Sequence, residues 1–187
     1  MTDPGRTRRP LTIIGLGNEY LSDDGVGIQV VRGLKQRLTH SDAVFEELSL
    51  GGLQLLDYLT GFETCVIVDA IITGTHPPGT LSRFVQTAEH EPVTLVSSHQ
   101  IDLGKVLSLA ALMGADLPQA LILYGIEAED VTTFRETCSE EVSRAVPHIV
   151  DAIFRDLDRG EQALLTVCGE WHVVHDPMVT QSSMEHA

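Results

Sequence analysis

The sequence predicts an α/β fold: a three-layer sandwich with helices on both faces of a mostly parallel, twisted sheet of about five strands, one of them antiparallel. Short apolar runs alternate with segments of helical periodicity from residue 11 to residue 159. Residues 65–68 form one uninterrupted apolar run, which is typical of a central strand buried on both faces. We expect a flexible arm at 1–10, one domain at 11–160 and a tail of uncertain structure at 161–187.

Turn and capping residues bound the predicted elements. Strands are predicted at residues 11–14, 43–48, 65–68, 80–85 and 120–124. Helical spacing of apolar residues predicts helices after the expected caps Ser22 and Asp23, after Gly51-Gly52, after His99 and after the expected cap Ser139. The strand at 80–85 follows a His-Pro-Pro-Gly turn, and we predict that it is the antiparallel, returning strand.

The charge balance excludes two classes of partner. Asp and Glu number 27 against 12 Lys and Arg, which gives a formal net charge of −15. Nucleic acids and anionic membranes are recognised by basic surfaces, so we expect neither as a partner. A cation or a basic partner is compatible with this charge. No apolar run approaches the ~20 residues that cross a bilayer, and we expect a cytoplasmic protein.

The first glycine-rich loop raises the question of phosphate binding. Gly15-Leu16-Gly17-Asn18 follows the first predicted strand, as in a dinucleotide-binding loop. Tyr20 occupies the position of the third glycine, and three acids, Glu19, Asp23 and Asp24, would repel a pyrophosphate. The three cysteines form no CxxC pair, so a thiolate zinc site is not indicated either.

Asp24, Asp69 and His99 form the strongest candidate site. Taken alone, Asp24 can belong to an acidic pair that stabilises a helix N-terminus, and a lone histidine is more often structural. Asp69 ends a fully apolar strand, so it should hydrogen-bond, pair with a cation or bind metal. Because the carboxyl ends of parallel strands share one crevice, all three can converge. Two carboxylates and an imidazole suit a first-row divalent ion.

The order and spacing of these motifs resemble those of the hydrogenase maturation proteases. The matching segments are Gly15-Leu16-Gly17-Asn18, Ser22-Asp23-Asp24-Gly25-Val26-Gly27, Val68-Asp69-Ala70, Ser98-His99-Gln100, Gly125-Ile126-Glu127 and Ser139-Glu140-Glu141-Val142. The resemblance covers about residues 11–155. It departs from the family at Leu50, where an acid often precedes the glycine pair, and at Ala128, which replaces a proline.

The resemblance implies an activity that composition does not. Members of this family are small α/β endopeptidases that remove a C-terminal extension from the large-subunit precursor of nickel-iron hydrogenases after nickel insertion. Asp24, Asp69 and His99 match the family's metal-contacting positions. The precursor would supply the nickel, and the free site would be empty or hold another divalent ion. No catalytic nucleophile is assigned. The supporting and loop candidates are Asp23, Asn18, Gly51 and Gly52.

Two alternatives stay open at this point. A nickel-sensing chaperone would hold the large subunit without cutting it, and the departure at Leu50 is compatible with that role. A metal-independent hydrolase would use Asp24 and Asp69 as an acid–base pair. Its activity would survive chelation and the substitution His99→Ala.

Overall fold

The described residues form a six-stranded sheet at the centre of the fold. The computed structural model describes residues 9–39, 42–49, 52–87, 103–159 and 172–173. The order of the strands across the sheet is β2-β1-β3-β5-β4-β6. The strands are β1 (Arg9–Leu16), β2 (Val44–Leu48), β3 (Phe62–Ile71), β4 (Leu81–Thr87), β5 (Ala120–Glu127) and β6 (His172–Val173).

Helices connect most of these strands. They are α1 (Val26–Arg37), α2 (Leu56–Leu59), α3 (Leu103–Leu112) and α4 (Glu140–Asp158), and the 3₁₀ helices Ser22–Gly25 and Gly52–Leu55 precede α1 and α2. In the described part of the chain, no helix combines the length and apolar character that a membrane span requires.

The strand directions confirm the predicted α/β fold. β1 pairs in parallel with β2 and β3, and β3 pairs in parallel with β5. β4 is antiparallel to β5, as expected for the returning strand. The two-residue β6 adds a further antiparallel pairing at the edge of the sheet. It was not predicted, because two residues are too few to show a periodic pattern.

Strand β3 is buried on both faces, as its apolar run predicts. Val66 and Val68 belong to a core cluster with residues of α1 and α4. Cys65 and Ile67 belong to the cluster on the other face, with residues of α2 and α3. This alternation places β3 in the middle layer of a three-layer sandwich. The strand therefore packs apolar side chains against helices on both faces of the sheet before it ends near Asp69.

Two elements extend further than their local sequence signals indicate. β1 begins at Arg9, two residues before the predicted start at residue 11. α4 runs without interruption through Pro147, which removes one backbone donor from the helix interior. The buried face of α4, which includes Val142, Ile149 and Ile153, compensates by packing into the core.

Candidate functional site

Asp24 and Asp69 both lie at the end of the sheet that is formed by the carboxyl ends of its parallel strands. Asp69 is close to the end of β3, and Asp24 lies in the 3₁₀ helix after β1, which contacts β3. Because Gly15 of β1 is opposite Val68 of β3, the chain leaves the two strands side by side. Asp24 is 3% exposed and Asp69 is 1% exposed. The structure therefore brings both predicted acids to one edge as buried side chains.

Two glycines, one in the first loop and one in α1, make this close packing possible. A Cβ atom at Gly17 would overlap the carbonyl oxygen of Asp24, and the φ angle of Gly17 is +149°. A Cβ atom at Gly27 would overlap the carbonyl oxygens of Leu16 and Val68. These glycines thus let the start of α1 contact the ends of two strands. Their spacing is explained by packing, without a phosphate ligand.

Backbone groups orient the Asp24 carboxylate. The N–H of Asn18 donates to Oδ2 of Asp24 at 2.9 Å. The N–H of Asp24 donates to the carbonyl oxygen of Leu21 at 3.0 Å. Oδ1 of Asn18 in turn accepts a hydrogen bond from the N–H of Tyr20 at 3.0 Å. Asn18, a predicted loop residue, therefore shapes the segment that carries Asp24.

Asp23 is fully buried and joins three segments of the chain. Its Oδ2 accepts hydrogen bonds from the N–H of Glu129 at 2.9 Å, the N–H of Asp130 at 3.1 Å and the hydroxyl of Ser139 at 3.0 Å. Its Oδ1 accepts a hydrogen bond from the N–H of Ser139 at 2.6 Å. The carboxylate thus connects the 3₁₀ helix that carries Asp24 to the loop after β5 and to the start of α4.

The expected helix caps are wrong at Ser22 and Asp23, and Ser139 is confirmed in position only. Gly25, and neither Ser22 nor Asp23, occupies the N-cap position of α1, and it makes no side-chain capping bond. Ser139 does occupy the N-cap position of α4, but it also makes no side-chain capping bond. Its hydroxyl donates to Asp23 instead. A buried carboxylate requires several donors, and this tertiary requirement overrides the local capping preference.

Glu127 is another buried carboxylate. In the sequence it stands out only as the last residue of the segment Gly125-Ile126-Glu127, and no role was predicted for its side chain. It is 3% exposed. Its Oε1 accepts hydrogen bonds from the N–H groups of Thr73 and Gly74 at 2.8 Å each, and its Oε2 accepts one from the Thr73 hydroxyl at 2.7 Å. Because Glu127 is paired with Ile71 in the sheet, it fixes the turn immediately after β3. That turn follows the strand end that carries Asp69.

The remaining predicted site residues are only partly described. His99 and Gly51 lie outside the described residues. Gly52 begins the 3₁₀ helix Gly52–Leu55. Across the described segments, no three His, Cys, Asp or Glu side chains form a group that could hold a metal ion. The convergence of His99 with Asp24 and Asp69 therefore stays a prediction.

The described thiols favour a protonated state. Complete burial raises the pKa of Cys65 above its usual range. Burial raises the pKa of Cys138 to about 11, and the nearby Asp23 carboxylate adds to that effect. Neither thiol is suited to act as a thiolate near neutral pH. The side chains of Asp24 and Asp69 instead bring carboxylate oxygens to the carboxyl ends of the strands, and such oxygens are ligands for divalent cations.

The family of the chain follows from its sequence over most of the domain. The family profile HycI, described as hydrogenase maturation protease, matches residues 28–156. The chain belongs to the hydrogenase maturation proteases. The match includes most of α1, the strand that carries Asp69 and most of α4. The resemblance inferred from the motifs is thus confirmed.

Individual members of the family agree with this assignment. The chain is 32% identical over 126 residues to the hydrogenase 2 maturation protease of Escherichia coli (strain K12), which covers 65% of this chain and 74% of that protein. It is 31% identical to the hydrogenase expression/formation protein HoxM of Cupriavidus necator, covering 74% of this chain and 69% of that protein.

A solved structure carries the same fold. The hydrogenase maturating endopeptidase HybD from E. coli matches with a TM-score of 0.65 and 26% identity, covering 80% of this chain and 93% of that chain. The predicted enzyme class is therefore confirmed: this maturation protease is an endopeptidase. The alternative of a chaperone without cleavage activity gains no support from these relatives.

Proposed function

We propose that this protease removes the C-terminal extension of a nickel-iron hydrogenase large-subunit precursor, and that cleavage requires the nickel carried by that precursor. The observation that carries the proposal is the placement of two buried carboxylates, Asp24 and Asp69, where neighbouring parallel strands end. Burial makes a carboxylate costly unless it has partners, and a divalent cation is a favourable one. Family membership supports the substrate class.

In this proposal Asp24 and Asp69 offer oxygen ligands to the precursor's nickel, and His99 offers a nitrogen ligand. The N–H of Asn18 fixes the orientation of the Asp24 carboxylate. Asp23 holds the 3₁₀ helix on which Asp24 lies, and Glu127 holds the turn that follows β3. These contacts keep the acids in place before the precursor arrives, which lowers the cost of ordering the site.

The proposed requirement for nickel would also let the enzyme distinguish a nickel-loaded precursor from one without nickel. The carboxylates contribute negative charge at a buried edge, so a precursor without its cation would meet an electrostatically unfavourable site. A loaded precursor brings compensating positive charge to the same place.

The cytoplasm is the compartment that we propose for this reaction, and cell fractionation with immunodetection tests it.

The deciding experiment compares nickel-loaded and nickel-free precursor as substrates of the purified protease. Mass spectrometry of the precursor's C-terminus measures cleavage. Asp24→Asn, Asp69→Asn and His99→Ala should each lower the rate of cleavage of the loaded precursor by at least ~10–100-fold. That is the loss that is typical when a residue supporting a metal ligand is removed, and these three residues are proposed to be ligands themselves. Asp57→Asn, at an exposed position on α2, is the matched control and should keep full activity.

Two outcomes would contradict the proposal. Equal cleavage of loaded and nickel-free precursor would exclude the metal requirement. Activity that survives both chelation and His99→Ala, but not Asp24→Asn or Asp69→Asn, would instead indicate a metal-independent hydrolase with a carboxylate acid–base pair.

A further inference from the structure

Two exposed aromatic side chains stack on each other next to the loop that carries Asp24. The rings of Tyr20 and Phe134 are nearly parallel, with an interplanar angle of 8° and centroids 6.1 Å apart. Tyr20 is 48% exposed and Phe134 is 78% exposed. Large aromatic side chains that remain accessible are enriched at protein contact surfaces. We name this pair the aromatic platform.

The platform is held in place by backbone hydrogen bonds between its two loops. The N–H of Arg135 donates to the carbonyl oxygen of Tyr20 at 2.9 Å, and the N–H of Ser22 donates to that of Arg135 at 2.7 Å. The guanidinium of Arg135 donates to the hydroxyl of Ser22 at 2.7 Å. Such preorganisation reduces the entropy lost when a partner binds to the rings.

The platform is continuous with the candidate site. Asn18 accepts a hydrogen bond from the N–H of Tyr20, and its own N–H donates to the carboxylate of Asp24. The second loop also contacts the site, because the N–H groups of Glu129 and Asp130 donate to Asp23. A protein bound at Asp24 is therefore within immediate reach of the platform.

The charge around the platform is negative. Segments 18–24 and 128–137 carry six acidic residues and one basic residue. The basic residue, Arg135, uses its guanidinium to bind Ser22. Glu19 is paired with Arg32 at 2.8 Å, whereas Glu129 and Glu136 are exposed in the segment that carries Phe134. An aromatic face close to carboxylates is a favourable environment for a Lys or Arg side chain.

We propose that the aromatic platform binds a Lys or Arg side chain of the hydrogenase large-subunit precursor. The proposal rests on the proposed function for the identity of the partner. The rings provide a cation–π surface, and the surrounding acids attract the basic group over a longer range. The platform contributes to precursor affinity and does not take part in peptide-bond cleavage.

Steady-state cleavage of nickel-loaded precursor tests this role through separate values of KM and kcat. Tyr20→Ala and Phe134→Ala should raise KM by about 2-fold to 30-fold, the range that corresponds to a cation–π contact, with a smaller effect on kcat. Phe134→Trp should keep the wild-type KM. Phe134→Leu should raise KM as Phe134→Ala does, because leucine has no aromatic ring. Leu112→Ala removes an equally exposed apolar side chain from α3 and should leave KM unchanged.

A binding measurement separates failure of this inference from failure of the proposed function. Calorimetry with the loaded precursor should show weaker binding for Phe134→Ala than for the wild type, and a smaller loss of affinity when salt is raised. If the wild type binds but does not cleave the precursor, the proposed function fails and the platform still stands. Unchanged affinity in both alanine variants, or full restoration by Phe134→Leu, would overturn the platform's role.

Discussion

Asp23 provides the sharpest test of how the site is held together. Asp23→Ala removes the acceptor for three backbone N–H groups and one hydroxyl, at a position with 0% exposure. Each buried donor left without a partner costs about 1–3 kcal/mol, and local relaxation recovers part of that cost. We therefore expect a loss of about 3–5 kcal/mol in the free energy of unfolding. That is a large fraction of the ~5–15 kcal/mol that stabilises a domain.

Two milder variants grade the effect. In Asp23→Asn the amide oxygen can take the place of Oδ2, which leaves the amide NH₂ facing the N–H of Ser139, whose present distance to Oδ1 is 2.6 Å. One donor–donor contact and the lost charge should cost about 2–3 kcal/mol. Ser139→Ala removes only the hydroxyl bond, and should cost about 1 kcal/mol.

Urea denaturation measures the free energy of unfolding of each variant. A shift of the transition midpoint reports a change in stability when the dependence on urea concentration keeps the same slope. The expected order of destabilisation is Asp23→Ala, then Asp23→Asn, then Ser139→Ala. Asp42→Ala, at an exposed position before β2, is the control and should change stability by less than ~0.5 kcal/mol. A loss below ~1 kcal/mol for Asp23→Ala would refute the reasoning that this carboxylate anchors the three segments.

Four further outcomes follow from the packing and the buried groups. Gly27→Ala should lower the free energy of unfolding by at least ~3 kcal/mol in urea denaturation, because the new methyl group overlaps two backbone carbonyl oxygens. Glu127→Gln should accelerate hydrogen exchange at the N–H groups of Thr73 and Gly74, which lose a charged acceptor. Cys138 should resist iodoacetamide at pH 8 and react faster towards pH 11, since burial and then Asp23 raise its pKa to about 11 from 9.0. The folded state disfavours the Cys138 thiolate, so the stability that this thiol contributes should fall as pH rises above about 9, and unfolding midpoints measured across that range check it.

The sequence predicted the elements whose signals are local. The uninterrupted apolar run of β3 and the amphipathic faces of α1 and α4 depend on neighbouring residues, and their positions in the fold are confirmed. The placement of Asp24 and Asp69 at one edge followed from a general property of parallel sheets. These predictions needed no knowledge of distant contacts.

Contacts between distant segments could not be predicted in the same way. Asp23 and Ser139 are 116 residues apart, and each looks like an ordinary helix cap when considered alone. The bonds between Glu127 and the turn after β3 join residues 53 and 54 positions apart. Nothing in the local spacing indicates which loop a buried carboxylate will meet. The aromatic platform likewise depends on two loops that only the sheet brings together.

The antiparallel direction of β4 sets the distance that the chain would have to cover for His99 to join Asp24 and Asp69, as we propose. Thr87 at the end of β4 is opposite Ala120, the first residue of β5, and thus lies at the edge of the sheet away from Asp69. Seven residues of strand correspond to about 23 Å. Eleven residues separate Thr87 from His99 in the sequence, and a chain of that length can span up to about 36 Å. The length of the chain therefore permits the proposed approach of His99 to Asp24 and Asp69.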